Sequence, residues 1–250
     1  MNEYNKIILG DCLEKMKDIE DKSIDLIFTD LPFGTTQNKW DCIIPLEPLW
    51  HQYERIIKDN GCIALFAQTP FDKVLGASNL KLLKYEWIWE KNRPSGHLNA
   101  KKMPMKAHEN ILIFYKKPPI YNPQMTTGHE PLKPTYSSKK LIQTNYGDFD
   151  CKVSERQKTG GQTTRYPRDI LKFNVIANGN LHPCEKPVSI CEYFLKTYSN
   201  EGDTILDNCT GSGSIPIACL NTNRKYIAIE KNEQYYNIAV NRISGYIHLS

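Results

Sequence analysis

The sequence predicts an α/β protein, a doubly wound and mostly parallel sheet interrupted by an insertion. Three observations predict it. Short apolar runs alternate with segments of helical periodicity, as in a sheet covered on both faces. One run, Cys62-Ile63-Ala64-Leu65-Phe66, is apolar without a break, which suits a strand buried on both sides. Between residues 116 and 181 the alternation stops among prolines and glycines, and then it resumes.

The elements follow in order. Lys6-Ile7-Ile8-Leu9 reads as a strand with Gly10-Asp11-Cys12 as its exit turn, and Leu13, Met16 and Ile19 recur at helical spacing. Ser23 to Phe28 is a second strand. Leu46 to Lys58 is a helix carrying Leu49, Tyr53, Ile56 and Ile57 on one face, with Asn60-Gly61 as its stop. Residues 62–66 form the buried strand, 70–82 a further helix, and 85–89 and 110–115 two more strands. After the break, Pro187 opens an amphipathic helix over 188–195. Strands at 203–207 and 225–230 flank a helix at 215–221, and a last helix covers 233–244. The chain therefore divides into 1–117, an insertion at 118–181, and 182–250.

A sharp change of pattern follows the second strand, at Thr29-Asp30-Leu31-Pro32-Phe33-Gly34. Pro32 has no N–H for a ladder and keeps Leu31 extended. A carboxylate, a free carbonyl and an aromatic ring are thus held just past the carboxyl end of a strand, where open α/β sheets bind ligands. Asp30 and the Leu31 carbonyl offer two acceptors to the two N–H donors of an exocyclic amino group, and Phe33 offers a face to a planar base. The bland alternative is an Asx-Pro turn leading into a loop.

Asp207-Asn208-Cys209-Thr210-Gly211-Ser212-Gly213 joins a strand to a helix. Such a turn lets a nucleotide approach the backbone, and Glu230, at the end of the next strand, is placed for two ribose hydroxyls. The loop is neither G-x-G-x-x-G nor a P-loop, so adenosine binding rests on strand, glycines, helix and acid together.

The 250 residues carry a net charge of +4, which hides an asymmetry. Residues 91–172 hold sixteen Lys and Arg against six Asp and Glu, while the rest holds sixteen against twenty-two. A basic middle in an acidic frame suggests a polyanion met through one region; a solvated lysine-rich loop is the alternative. The insertion interleaves aromatics with these cations and sustains no helical or strand period. None of the eight cysteines forms C-x-x-C, so no zinc or redox site is indicated, and scattered Cys suits a reducing cytoplasm. Neither a secretory leader nor a membrane span is expected.

Asp-Leu-Pro-Phe, His182-Pro183-x-x-Lys186-Pro187 and Asp207-x-x-x-Gly-Ser-Gly together resemble the motifs of amino-group DNA methyltransferases, in the order of the permuted β class. The resemblance covers nearly the whole chain apart from the insertion. It implies a Rossmann-like methyltransferase sheet, S-adenosylmethionine as cofactor, and double-stranded DNA as partner, with methyl transfer to adenine N6 or cytosine N4. It implies that Asp30, Leu31, Pro32 and Phe33 hold the flipped base. His182, Lys186 and Pro187 would line the methionine end of the cofactor with Asp207, Asn208, Gly211, Ser212 and Gly213. Glu230 would take the ribose, and Asp11 with Cys12 the adenine side. Residues 118–181 would carry target recognition. There Lys139, Lys140 and Lys158 would meet phosphates, and Arg165 or Arg168 a guanine edge. Neither metal nor covalent intermediate is called for. The resemblance also allows a homodimer, as in some relatives, and a cognate restriction enzyme as partners.

The chain departs from the family pattern at Leu31, where Pro is usual, at Phe33, where Tyr is commoner, and at Asn208-Cys209, where Pro-Phe is usual. The first should be tolerated because the acceptor is a backbone carbonyl. Asp at the first motif position leans toward adenine; Ser there is commoner in cytosine-N4 enzymes. A cytosine-C5 reading would use Pro183-Cys184 and Glu109-Asn110-Ile111, but their order is reversed and the Asp30 stretch is left idle. A non-catalytic nucleic-acid-binding protein with a relic cofactor fold would keep the basic insertion and lose the chemistry.

Overall fold

The computed structural model describes residues 4–36, 38, 41–132, 160–176 and 185–247. In chain order the elements are β1 (Lys6–Leu9), α1 (Cys12–Lys15) running into a 3₁₀ turn, β2 (Ile24–Asp30), α2 (Leu46–Ile56), β3 (Ile57–Ala67), α3 (Phe71–Ser78), β4 (Leu83–Ser95) and β5 (Lys106–Phe114). Then come β6 (Ile170–Phe173), α4 (Val188–Tyr198), β7 (Thr204–Asp207), α5 (Ser214–Asn221), β8 (Lys225–Glu230) and α6 (Glu233–Ile247). By contacts the chain forms two units, residues 1–122 with 169–250, and residues 123–168.

The first unit holds one sheet of order β1-β8-β7-β2-β3-β5-β4-β6. Every pairing is parallel except the two made by β5, which runs against β3 and β4. Alternation within the strands explains the layers. Ile24 and Ile27 of β2, with Ile63, Leu65 and Ala67 of β3, enter one core with Leu49, Tyr53 and Ile56 of α2. Leu26 and Phe28, with Cys62, Ala64 and Phe66, enter a second core with Ile190, Cys191 and Phe194 of α4. A continuous apolar run is what a strand covered on both faces requires. Burying each of these large side chains contributes about 1.5–3 kcal/mol before the entropy of ordering is counted.

Two local features differ from the sequence expectation. Asn60-Gly61 does not stop a helix: α2 ends at Ile56 and Gly61 lies inside β3. A Cβ there would come within 2.9 Å of the Asp25 carbonyl oxygen, so glycine serves the close approach of β2 where the β2–β3 register shifts. Leu13, Met16 and Ile19 do follow a helical path, the α-helical turn Cys12–Lys15 running into the 3₁₀ turn Met16–Asp18 that Ile19 caps. Residues 170–173, expected within the irregular insertion, pair in parallel with Ile88–Lys91 as the edge strand β6.

In the second unit, the described parts run antiparallel. Thr126 and Arg165 exchange backbone hydrogen bonds of 2.9 Å, and His129 N–H donates to the Thr163 carbonyl. No helix among the described residues is long and apolar enough to cross a membrane.

Candidate active site

β2 and β7 lie side by side, and from here the connections diverge. β2 leads through α2 to β3 on one side, while β7 leads through α5 to β8 on the other. The carboxyl ends of both strands therefore face a switch-point crevice, the place where such sheets take ligands. Each ends on an acid, Asp30 and Asp207. Thr29 Oγ1 donates to Asp207 Oδ1 at 2.8 Å and ties the two strand ends together. Burial pushes the Asp207 carboxyl up to about 7.

A cavity of about 860 Å³ opens at this edge. It brings together Asp11, Cys12, Asp30, Leu31, Pro32, Phe33, Lys186, Asp207, Asn208, Gly211, Ser212 and Glu230, twelve of the residues singled out in the sequence. Pro187 instead caps α4, and Gly213 packs the loop onto Ala239 of α6, so neither lines the cavity. His182, Lys139, Lys140 and Lys158 lie outside the described residues. Arg165 is engaged: its guanidinium donates to the carbonyls of Gln162, Thr164 and Glu130. Arg168 is exposed, as is its neighbour Tyr166.

At the β2 end, Asp30 Oδ2 accepts from Lys186 Nζ at 2.6 Å, while Oδ1 is buried without a hydrogen-bond partner. Burial raises the Asp30 carboxyl to about 6 against the pull of Lys186, and the nearby Glu109 adds to the rise. Lys186 lies 5.7 Å from the ring centre of Phe33 and 5.1 Å from that of Phe66. Phe33 itself stacks on Phe71 with ring centres 5.5 Å apart.

Two features had no local signature in the sequence. Asp41 receives the backbone N–H groups of Gly34, Thr35 and Thr36 at 2.8, 2.9 and 2.7 Å, bracing the loop after Phe33. Burial pushes this carboxyl up, but the hydrogen bonds outweigh it and hold Asp41 below the usual range. Glu109 of β5 bonds Lys91 of β4 at 2.5 Å and lies 3.3 Å from Lys186. Burial pushes Glu109 up, yet the two ammonium groups outweigh it and lower its carboxyl.

At the β8 end, Glu230 Oε2 accepts from Gly211 N–H and Oε1 from Asn232 N–H, both at 2.8 Å. Each oxygen retains acceptor capacity for a further donor, and Glu230 lines the cavity. Asp11 caps α1 through Leu13 N–H at 2.9 Å and pairs with Lys231 at 3.0 Å, which lowers its carboxyl. Asn208 Nδ2 donates to Cys209 Sγ at 3.5 Å, and Tyr53 donates to Asn208 Oδ1 at 2.6 Å. Two strand-end acids, Asp30 and Glu230, and a glycine loop line one crevice, an arrangement compatible with a nucleoside-bearing cofactor and an amino-group substrate.

A family model described as DNA methylase, of the N6/N4 methyltransferase kind, matches residues 24–241. The chain belongs to this family. It is 27% identical over 261 residues to the DNA adenine methyltransferase YhdJ of Escherichia coli strain K12, covering all of this chain and 86% of that protein. It is 25% identical to the type II methyltransferase M.HpaI of Haemophilus parainfluenzae, covering 96% of this chain and 74% of the relative. Among solved structures, the M1.HpyAVI–SAM complex superposes with a TM-score of 0.63 at 22% identity, over 95% of this chain and 98% of that one. The cytosine-N4-specific PvuII DNA methyltransferase superposes with a TM-score of 0.69 at 14% identity, over 95% and 85%. This methylase thus has the Rossmann-like methyltransferase fold, and its family uses S-adenosylmethionine to methylate amino groups in DNA.

Proposed function

We propose that this methylase transfers a methyl group to adenine N6 in double-stranded DNA. The observation that carries the reading is Asp30, a cavity-lining acid whose Oδ2 is held by Lys186 and whose buried Oδ1 has no hydrogen-bond partner. A carboxylate is an acceptor only, so it suits an N–H donor. The full-length similarity to a protein named as an adenine methyltransferase supports the base assignment.

S-adenosylmethionine supplies an electrophilic methyl group on a sulfonium. Glu230 holds the ribose hydroxyls, and the Gly211-Ser212 backbone lets the cofactor lie close. The target base leaves the duplex to reach the site. Phe33 stacks on it, while Asp30 and the Leu31 carbonyl accept its two amino protons. Those bonds favour a tetrahedral nitrogen and localise a lone pair otherwise delocalised into the ring. With the cofactor bound, its sulfonium would supply the methyl to that nitrogen, the N–C bond forming as the S–C bond breaks, S-adenosylhomocysteine leaving as the thioether and one amino proton passing to solvent. Positioning contributes much of the rate, and Asp30 stabilises positive charge as it develops on nitrogen.

Cytosine N4 is the second reading, favoured by the fold similarity to the PvuII enzyme. Modification-sensitive sequencing of genomic DNA from cells expressing the protein tests both. Methylated adenine at a defined site is the expected result; N4-methylcytosine alone would overturn the adenine assignment.

A further inference from the structure

Lys91, Glu109, Lys186 and Asp30 form a ladder of alternating charge that crosses four segments of the first unit. Lys91 Nζ meets Glu109 Oε1, Lys186 Nζ lies 3.3 Å from Glu109 Oε2, and the same ammonium lies 2.6 Å from Asp30 Oδ2. The side chains of Lys91, Glu109 and Lys186 are 9%, 10% and 7% exposed, so none is an ordinary surface ion. Strand pairing explains the placement: Glu109 lies opposite Trp89, two residues before Lys91, on adjacent antiparallel strands. Desolvating four charges is costly, and a ladder that costs stability calls for a reason other than stability. An ammonium shared by Asp30 alone would direct its donors at the one carboxylate that must accept from the substrate. Glu109 Oε2, which makes no hydrogen bond, lies in ionic contact with that ammonium and competes with Asp30 for its charge, and Lys91 neutralises Glu109 in turn.

We propose that Glu109 is a positioning residue for methyl transfer: supported by Lys91, it draws part of the Lys186 ammonium off Asp30 and keeps the Asp30 carboxylate available to the amino group. This rests on the reading of Asp30 given under the proposed function. The groups that face Asp30 are Lys186 before α4, Glu109 on β5 and Lys91 on β4. Asp207 on β7 meets Thr29 instead, and burial pushes the Cys191 thiol of α4 up, which keeps it neutral. Glu109 raises the proton affinity of Asp30, whereas Lys91 and Lys186 lower it.

The test measures kcat against pH with saturating labelled S-adenosylmethionine and unmethylated genomic DNA, for wild type, Glu109→Gln and Lys91→Met. Glu109→Gln removes the charge that raises Asp30, so the acidic limb should move to lower pH by about half a pH unit or more. Its plateau kcat should fall roughly tenfold, with the cofactor KM changed less than about twofold. Lys91→Met should move the limb to higher pH. A merely structural role would lower activity without moving the limb. A limb that stays in place in both variants, or moves in the reverse directions, overturns the proposal. Should Glu109→Gln fail to bind cofactor by calorimetry, the limb of Lys91→Met decides alone. If wild type transfers no methyl to DNA, or Asp30→Ala remains active, the failure belongs to the functional reading and removes the premise of this one.

Discussion

Asp30 is asked to be four-fifths buried and ionised at once. Its burial raises the carboxyl to about 6, and the acceptor role requires the charged form. The sign follows: activity is full above this value and falls as pH drops through about 6, and a kcat–pH profile on saturated enzyme should show that single acidic limb. Asp30→Ala should abolish methylation, by at least about a hundredfold in kcat, while calorimetry shows S-adenosylmethionine binding largely retained. Asp30, Leu31 and Glu230 were legible in the sequence because each sits where an apolar strand ends, and a strand end is a local event. Lys91 and Glu109 were not, because an ion pair is made by residues distant in sequence and leaves no periodicity. Glu109 stood out only as part of a reversed motif from a different enzyme class. Arg165 illustrates the converse: the sequence suggested that it or Arg168 meets a guanine edge, and three carbonyls of its own unit take the Arg165 guanidinium.

The loop that carries Phe33 is held from behind by one carboxylate. Asp41→Ala would leave three N–H groups without their acceptor, at a cost of about 1–3 kcal/mol. Chemical denaturation should read that loss, and kcat should fall more than cofactor affinity, because the brace acts on the substrate side. The Asp41 carboxyl is depressed, so its contribution is present above the ordinary carboxylate range and lost only as pH falls below it. Brace and catalytic acid therefore fail in different pH windows, which separates unfolding from the activity limb. On the cofactor side, Glu230→Ala should weaken S-adenosylmethionine binding through lost ribose hydrogen bonds. Gly211→Val should weaken it by forcing a β-branched residue into a positive φ of 54°. Normal binding by both variants in calorimetry would remove the nucleotide-loop reading. Most strands were legible because two cores demand continuous apolar runs. The reversal of β5 was not, since a strand's own sequence does not encode its direction. β6 escaped because it is four residues long, half exposed, and at the end of a stretch that sustains no period.

Two chain exits connect the core to the second unit, and both are fastened within the core. Asn122 donates its backbone N–H to the Thr197 carbonyl at 2.8 Å, and its side chain reaches Lys196, Ser199 and Asn200 around the end of α4. Asp169 offers its carbonyl to Ile88 N–H at 2.7 Å, leading straight into β6. The sheet, both cores and the cavity lie within residues 1–122 and 169–250. The core should therefore fold without the intervening residues, provided that the cut spares β6. Replacing residues 124–167 by a flexible Gly/Ser linker of about ten to fifteen residues should keep S-adenosylmethionine affinity within about twofold. The same variant should lose methylation of genomic DNA, because the basic and aromatic stretch that would meet phosphates and bases is gone. Arg168→Ala is the finer probe. An exposed guanidinium that reads a guanine edge discriminates by about 1–3 kcal/mol, so this variant should methylate additional sites while total turnover on its best site changes little. Sequencing of DNA modified by each variant reads both outcomes. A deletion protein that still marks the wild-type sites would move specificity into the core, and the exposed cations of the β4–β5 hairpin would be the next residues to substitute.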